Sequence, residues 1–130
     1  MTVYYINSKA QDSSLVLTKG SIYRFDQSTS SNDAFPLLLS VHPDGRQDPS
    51  NPDDHTPIPE SEGVSYWLGN GVATSATYDQ WKDPTTFSTY EYNFLQIEVP
   101  ANGFANAPDA TKIYYYSPLL PGMGGELTIA

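Results

Sequence analysis

Few residues in this 130-residue chain are placed to do chemistry, and the ones missing are as informative as the ones present. It has no cysteine, which removes disulfides, thiolate metal sites and cysteine nucleophiles together. Met123 lies in the run Pro121-Gly122-Met123-Gly124-Gly125, but a thioether is a weak soft-metal ligand, and no thiolate or imidazole lies near it in sequence. Met123 is therefore expected to pack, while Gly122, Gly124 and Gly125 let the backbone turn tightly into a last strand. The two histidines, His42 and His55, fall in or beside a stretch that also carries Asp44, Asp48, Asp53 and Asp54. Such oxygen-rich clusters can hold Ca²⁺, yet there is no Asp-x-Asp-x-Asp-Gly run with a closing Glu, so the stretch reads as a solvated acidic loop. Hydrolysis has no better support, because the sequence contains no Gly-x-Ser-x-Gly elbow, no His-Glu-x-x-His and no phosphate-binding loop. No catalytic residue, metal ligand or cofactor site is assigned, and the chain is expected not to be an enzyme.

Aromatic surface is what the chain has in plenty. Ten Tyr and two Trp exceed what one small core readily absorbs, and such side chains anchor interfaces because they bury much area at low entropic cost. Trp67 and Trp81 are interface candidates on that ground. For any one Tyr the plainer reading is a strand residue with its hydroxyl at a sheet edge. Leu119 and Leu120, flanked by Pro118 and Pro121 at a loop tip, are candidates for an exposed apolar contact. The formal net charge is −9, from 15 acidic against 6 basic residues, which disfavours a nucleic-acid partner because phosphate binding needs clustered Lys and Arg. No run approaches the roughly 18 apolar residues that cross a bilayer, so no membrane partner is expected. Met1-Thr2-Val3-Tyr4-Tyr5 opens into strand-like sequence, and the chain is expected to be made without a cleaved signal.

The elements that must hold these residues read as β. Eleven Pro and nine Gly punctuate short apolar segments rich in Tyr, Ser and Thr, and one all-β domain over residues 1–130 is expected. Strands are predicted over residues 3–6, 14–18 and 21–26; in the last, Tyr23 and Phe25 share one face and Arg24 and Asp26 the other, the period-two pattern of a half-buried strand. Residues 35–41, apolar on both faces, predict a central strand. Five prolines between His42 and Gly63 predict a long surface loop. Val64–Leu68, a turn at Gly69-Asn70-Gly71 and Val72–Thr74 predict a hairpin. Residues 75–90 follow neither period and leave open an irregular helical turn or an extended flap. Strands follow over 94–99, with Leu95, Ile97 and Val99 inward, over 112–116, and over 126–129, with Leu127 and Ile129 inward.

Three segments in series resemble the cupredoxin-like domain found in virion proteins of marine bacteriophages, particularly those infecting cyanobacteria. They are Leu17-Thr18-Lys19-Gly20-Ser21-Ile22-Tyr23-Arg24-Phe25-Asp26-Gln27-Ser28, similar to that family's lead-in strand pair; Ser31-Asn32-Asp33-Ala34-Phe35-Pro36-Leu37, similar to its Ser-Asn-x-x-His-Pro-Leu element; and Ile113-Tyr114-Tyr115-Tyr116-Ser117-Pro118-Leu119-Leu120-Pro121-Gly122-Met123-Gly124-Gly125, similar to its Tyr-Tyr-Tyr-Cys-x-x-His-x-Gly-Met-Gly-Gly ending. The resemblance implies a cupredoxin-like Greek-key β-sandwich with long irregular loops. It also implies four copper-ligand positions, of which Phe35 fills the first His, Ser117 the Cys and Leu120 the second His, leaving Met123 alone. Residues 42–63 and 75–92 look longer than in compact members, and nothing carries over to them.

The fold is thus expected without the redox chemistry, in a non-enzymatic phage virion protein assembled in the host cytoplasm. A capsid decoration or auxiliary protein is the leading expectation, docking through Phe35, Leu119, Leu120 and Met123 at the former metal end. Its partners would be other virion proteins of capsid or tail, with a homo-oligomer left open. The alternatives are a tail, neck or fibre subunit whose Trp and Tyr side chains stack on host glycans, and a metal-binding electron carrier.

Overall fold

A computed structural model describes residues 2–46 and 55–130. Its strands are β1 Tyr5–Ile6, β2 Lys9–Ala10, β3 Val16–Leu17, β4 Ile22–Asp26, β5 Leu38–Ser40, β6 Val64–Asn70, β7 Val72–Ala76, β8 Tyr92–Glu98, β9 Lys112–Tyr116 and β10 Gly125–Ile129, with short helices α1 Tyr78–Lys82 and α2 Pro84–Phe87. β1 and β2 form a small hairpin, and the other eight strands divide into two four-stranded sheets of order β3-β10-β9-β5 and β4-β8-β6-β7. The second sheet is antiparallel throughout. The first is mixed, because β3 runs parallel to β10, with Val16 opposite Thr128 and Leu17 opposite Ile129. The all-β, sandwich-like character expected from composition is what forms.

Alternation explains how the sheets share a core. In β8, Asn93, Leu95 and Ile97 are buried while Phe94 and Gln96 between them are half-buried, and in β6 Val64, Tyr66 and Leu68 point the same way. The other sheet contributes Leu17, Ile113, Tyr115, Leu127 and Ile129 to the same apolar cluster. Burying each such side chain is worth about 1.5–3 kcal/mol, which is the main term holding the two sheets together.

Three local expectations are revised. The segment 35–41 supplies only β5, which is an edge strand rather than a central one. Leu38, Leu39 and Ser40 are all buried because other parts of the chain cover that edge: Ile58 N–H donates to the Leu39 carbonyl at 2.8 Å, and the Trp81 indole N–H donates to the Leu37 carbonyl at 2.8 Å. Residues 3–6 provide only β1, which turns back through Asn7 and Ser8, both at positive φ, into a β2 that was not anticipated. The illegible stretch 75–90 holds the end of β7 and both helices. Thr77 and Gln80 cap α1 reciprocally, Gln80 N–H to Thr77 Oγ1 at 3.1 Å and Thr77 N–H to Gln80 Oε1 at 2.9 Å. Asp83 caps α2 through the Thr85 N–H at 3.0 Å, with Pro84 in the first turn where its missing N–H costs nothing. No helix is long and apolar enough to cross a membrane, among the described residues.

Candidate functional site

The chain brings Phe35, Ser117 and Met123 together, and the group at their junction is Tyr4. The hairpin β1–β2 lays residues 2–4 across the loop between β9 and β10, where Tyr4 N–H donates to the Met123 carbonyl at 2.8 Å. Its ring is buried, edge-on to Tyr115, and its hydroxyl donates to the Phe35 carbonyl at 2.7 Å. Ser117 and Gln27 hydrogen-bond the same phenol, but burial outweighs them and holds it un-ionised far above the usual tyrosine range. Ser117, itself fully buried, turns its Oγ onto the backbone as well, accepting from Leu119 N–H at 3.1 Å and Leu120 N–H at 3.3 Å. That hydroxyl fixes the loop in the way a short polar side chain organises a tight turn.

The four positions therefore fit a packed end and not a copper ion. They offer one hydroxyl already accepting two backbone N–H groups and one thioether, without imidazole or thiolate. Met123 is buried, as its packing role requires. Gly122 takes φ +81°, and a side chain on Gly124 would strike the Tyr115 carbonyl, so the glycine run does what the tight turn demands. Phe35 is half-buried against the core. Leu120 also packs against the core, whereas Leu119 remains 43% exposed at the tip. Of the adjacent pair, only Leu119 is a projecting contact.

The two tryptophans part company. Trp81 is fully buried between Tyr66, 5.5 Å away, and Phe87, 4.9 Å away, so its surface is used inside the molecule and it is not an interface residue. Trp67 stands on the outer face of the second sheet, stacked on its cross-strand partner Phe94 at 5.7 Å with its indole N–H on Ser65 Oγ. Arg24 extends the row, its guanidinium 4.4 Å from the Phe94 ring centre and its Nε–H on Gln96 Oε1.

A second region was not anticipated. Beside α1 lies an open cleft of about 410 Å³, lined by Pro57, Ile58 and Pro59 and by Tyr66 and Tyr78. Glu60 and Asp79 also line it, and both are exposed. Lys82 sits 4.9 Å from the Tyr78 ring centre and 3.6 Å from an Asp79 oxygen. Behind the cleft, His55 is held by both ring nitrogens, Nδ1 to the Tyr116 hydroxyl at 2.7 Å and Nε2 to the Tyr78 hydroxyl at 3.3 Å. The acidic loop is thus anchored at its far end by Ile58 and His55 rather than solvated throughout. Asp44 accepts from Gly122 N–H at 3.1 Å, while its other oxygen is buried near Tyr116 with no hydrogen-bond partner among the described residues. Asp48, Asp53 and Asp54 lie outside the described residues, and among the described residues no three His, Asp or Glu side chains are grouped as metal ligands. In the sequence, Pro57, Pro59 and Tyr78 carried the only signal for the cleft, and they read as loop and illegible stretch. Compared with protein-family models, with curated proteins and with solved structures, this chain matches none.

Proposed function

We propose that this protein is a non-catalytic structural component of a bacteriophage virion, a cupredoxin-like Greek-key sandwich that binds the particle surface as a decoration or auxiliary protein. The observation that supports this most is the closed end around Tyr4. Where a metalloprotein would keep ligands converging on an ion, this chain packs a phenol, a serine hydroxyl turned onto backbone N–H groups, and Met123, and it projects Leu119 outward. An end fixed by packing with one apolar residue at its tip is suited to docking by shape. The two four-stranded sheets, with the first long-range pairing running parallel to the last strand, are in keeping with the topology that the resemblance implies.

The test is a phage carrying Leu119→Asp in this chain. Loss of the protein from purified particles, with its circular dichroism and melting temperature unchanged, is the expected result; full incorporation would remove this surface from consideration. Leu120→Asp is a poor substitute, since Leu120 packs against the core and the charge would act on stability. Copy number by mass spectrometry of the same particles separates the locations: hundreds of copies indicate the capsid, and on the order of a dozen or fewer the tail or neck, as lattice symmetry dictates.

A further inference from the structure

We propose that the cleft between Tyr66 and Tyr78 is a recess for a basic side chain, a lysine ammonium or arginine guanidinium presented by a protein partner. This inference does not depend on the closed end around Tyr4 or on the virion reading. Its basis is the combination of aromatic walls, flanking carboxylates and an open acceptor at one place.

The walls come first. Pro57, Ile58 and Pro59 line it with apolar surface that suits the methylene stem of Lys or Arg, and Tyr66 and Tyr78 line it with aromatic rings, the group type that attracts cations. The charge is complementary. Glu60 and Asp79 line the cleft from different elements, one just before β6 and one in α1, and no basic residue lines it among the described residues. Glu60 lies near enough to the Tyr66 phenol to help burial hold it un-ionised, which leaves a neutral hydroxyl rather than a fixed charge in the recess.

The third observation concerns that hydroxyl. Tyr66 is only 2% exposed, yet it lines the cleft, and no hydrogen bond joins its hydroxyl to another described residue. The hydroxyl oxygen is not sealed from solvent, so an N–H donor entering the cleft would meet an open acceptor there. Lys82 shows the chemistry already at work next door. Its ammonium rests over Tyr78 and near Asp79 without lining the cleft, so the aromatic and carboxylate groups here hold a cation from the chain's own sequence. In a chain of net charge −9, a second cation from outside is the complementary occupant.

The experiment is a titration of the isotope-labelled full chain, followed by NMR, with Nα-acetyl-arginine amide, Nα-acetyl-lysine amide, the neutral Nα-acetyl-norleucine amide, n-butylammonium and methyl glucoside. Saturable shifts at Ile58, Tyr66 and Tyr78 are expected with the arginine or lysine derivative and not with the norleucine derivative or the glucoside. Binding of those derivatives tighter than that of n-butylammonium assigns the cleft to a side chain displayed on a peptide; the reverse order would overturn the protein-partner assignment in favour of a free amine. Glu60→Gln with Asp79→Asn, both at exposed positions, should leave the spectrum folded and weaken binding about fivefold, the size expected for two solvent-screened charges. Tyr66→Phe, which keeps the ring, should weaken it further. Equal shifts with norleucine amide would make the cleft a plain apolar groove, shifts with the glucoside a carbohydrate recess, and unchanged binding in the carboxylate double variant a site that does not read charge. Each of those results, or silence at the cleft with every probe, overturns the proposal.

Discussion

Tyr4 is the residue on which the closed end turns. Its hydroxyl, ring and backbone N–H each fasten a different part of the chain: the Phe35 carbonyl, Tyr115 and the Met123 carbonyl. Tyr4→Phe removes only the hydroxyl, and Gln27 Nε2 still reaches the Phe35 carbonyl at 3.2 Å, so that acceptor is not left bare. The expected loss is about 1–3 kcal/mol, because the contacts with Ser117 and Gln27 go together with the bond to Phe35, measured as a lower midpoint in urea; a loss above about 5 kcal/mol would mean the phenol carries more of the end than its contacts account for. In the sequence Tyr4 reads only as a strand former, because its partner is 31 positions away and residue type does not reveal what a hydroxyl meets. Phe35, Ser117, Leu120 and Met123 were legible through motif order, yet the difference between Leu119 exposed and Leu120 packed was not. Two identical side chains in adjacent positions are separated by which way the Ser117-fixed turn points them.

At the scale of elements, the instructive case is β5 and the helix that closes it. An apolar run on both faces signals burial from both sides, which a central strand and a covered edge satisfy equally. Here the cover is shared by Ile58, which donates to the Leu39 carbonyl, and by α1, whose Trp81 packs between Tyr66 and Phe87 and ties off the Leu37 carbonyl. Trp81→Phe keeps an aromatic ring but leaves that carbonyl without the indole and a void beside Tyr66 and Phe87; a loss of roughly 2–4 kcal/mol is expected in denaturant melts, from the cavity and the orphaned acceptor together. A change below about 1 kcal/mol would show that the edge is held by the 55–59 segment alone. The helices themselves were marked in the sequence by Thr77-Tyr78-Asp79-Gln80 and Asp83-Pro84, both start signals, but helices of five and four residues are too short for a 3.6-residue period to emerge. Alternation made most of β8 legible, whereas β6 was read only as far as Leu68: Gly69 and Asn70 are turn-forming residue types yet extend the strand by pairing with Ala73 and Val72.

For the whole molecule, the tyrosines set the response to base. Tyr4, Tyr66, Tyr115 and Tyr116 are all buried, and burial raises each phenol, Tyr115 up to about 12 and the other three strongly in the same direction. In the unfolded chain these groups ionise near 10.0. Above that pH the unfolded chain has released protons that the folded one keeps, so stability is intact below it and falls as pH rises, by up to about 1.4 kcal/mol per unit for each tyrosine. Circular dichroism of the sheets should therefore collapse cooperatively above pH 10, with phenolate absorbance from these four appearing in the same step; their absorbance rising while the sheets stay intact would contradict the burial described. The parallel contact between β3 and β10 acts at this scale too. Leu15 and Leu17 offer carbonyls to the N–H groups of Thr128 and Ala130, and Lys19 N–H donates to the Ala130 carbonyl, so β3 has no neighbour in that sheet until residues more than a hundred positions later are in place. That edge of the sheet can close only once β10 is available, and a chain halted before residue 125 would leave Leu17 and the flank of β9 uncovered for chaperones to shield.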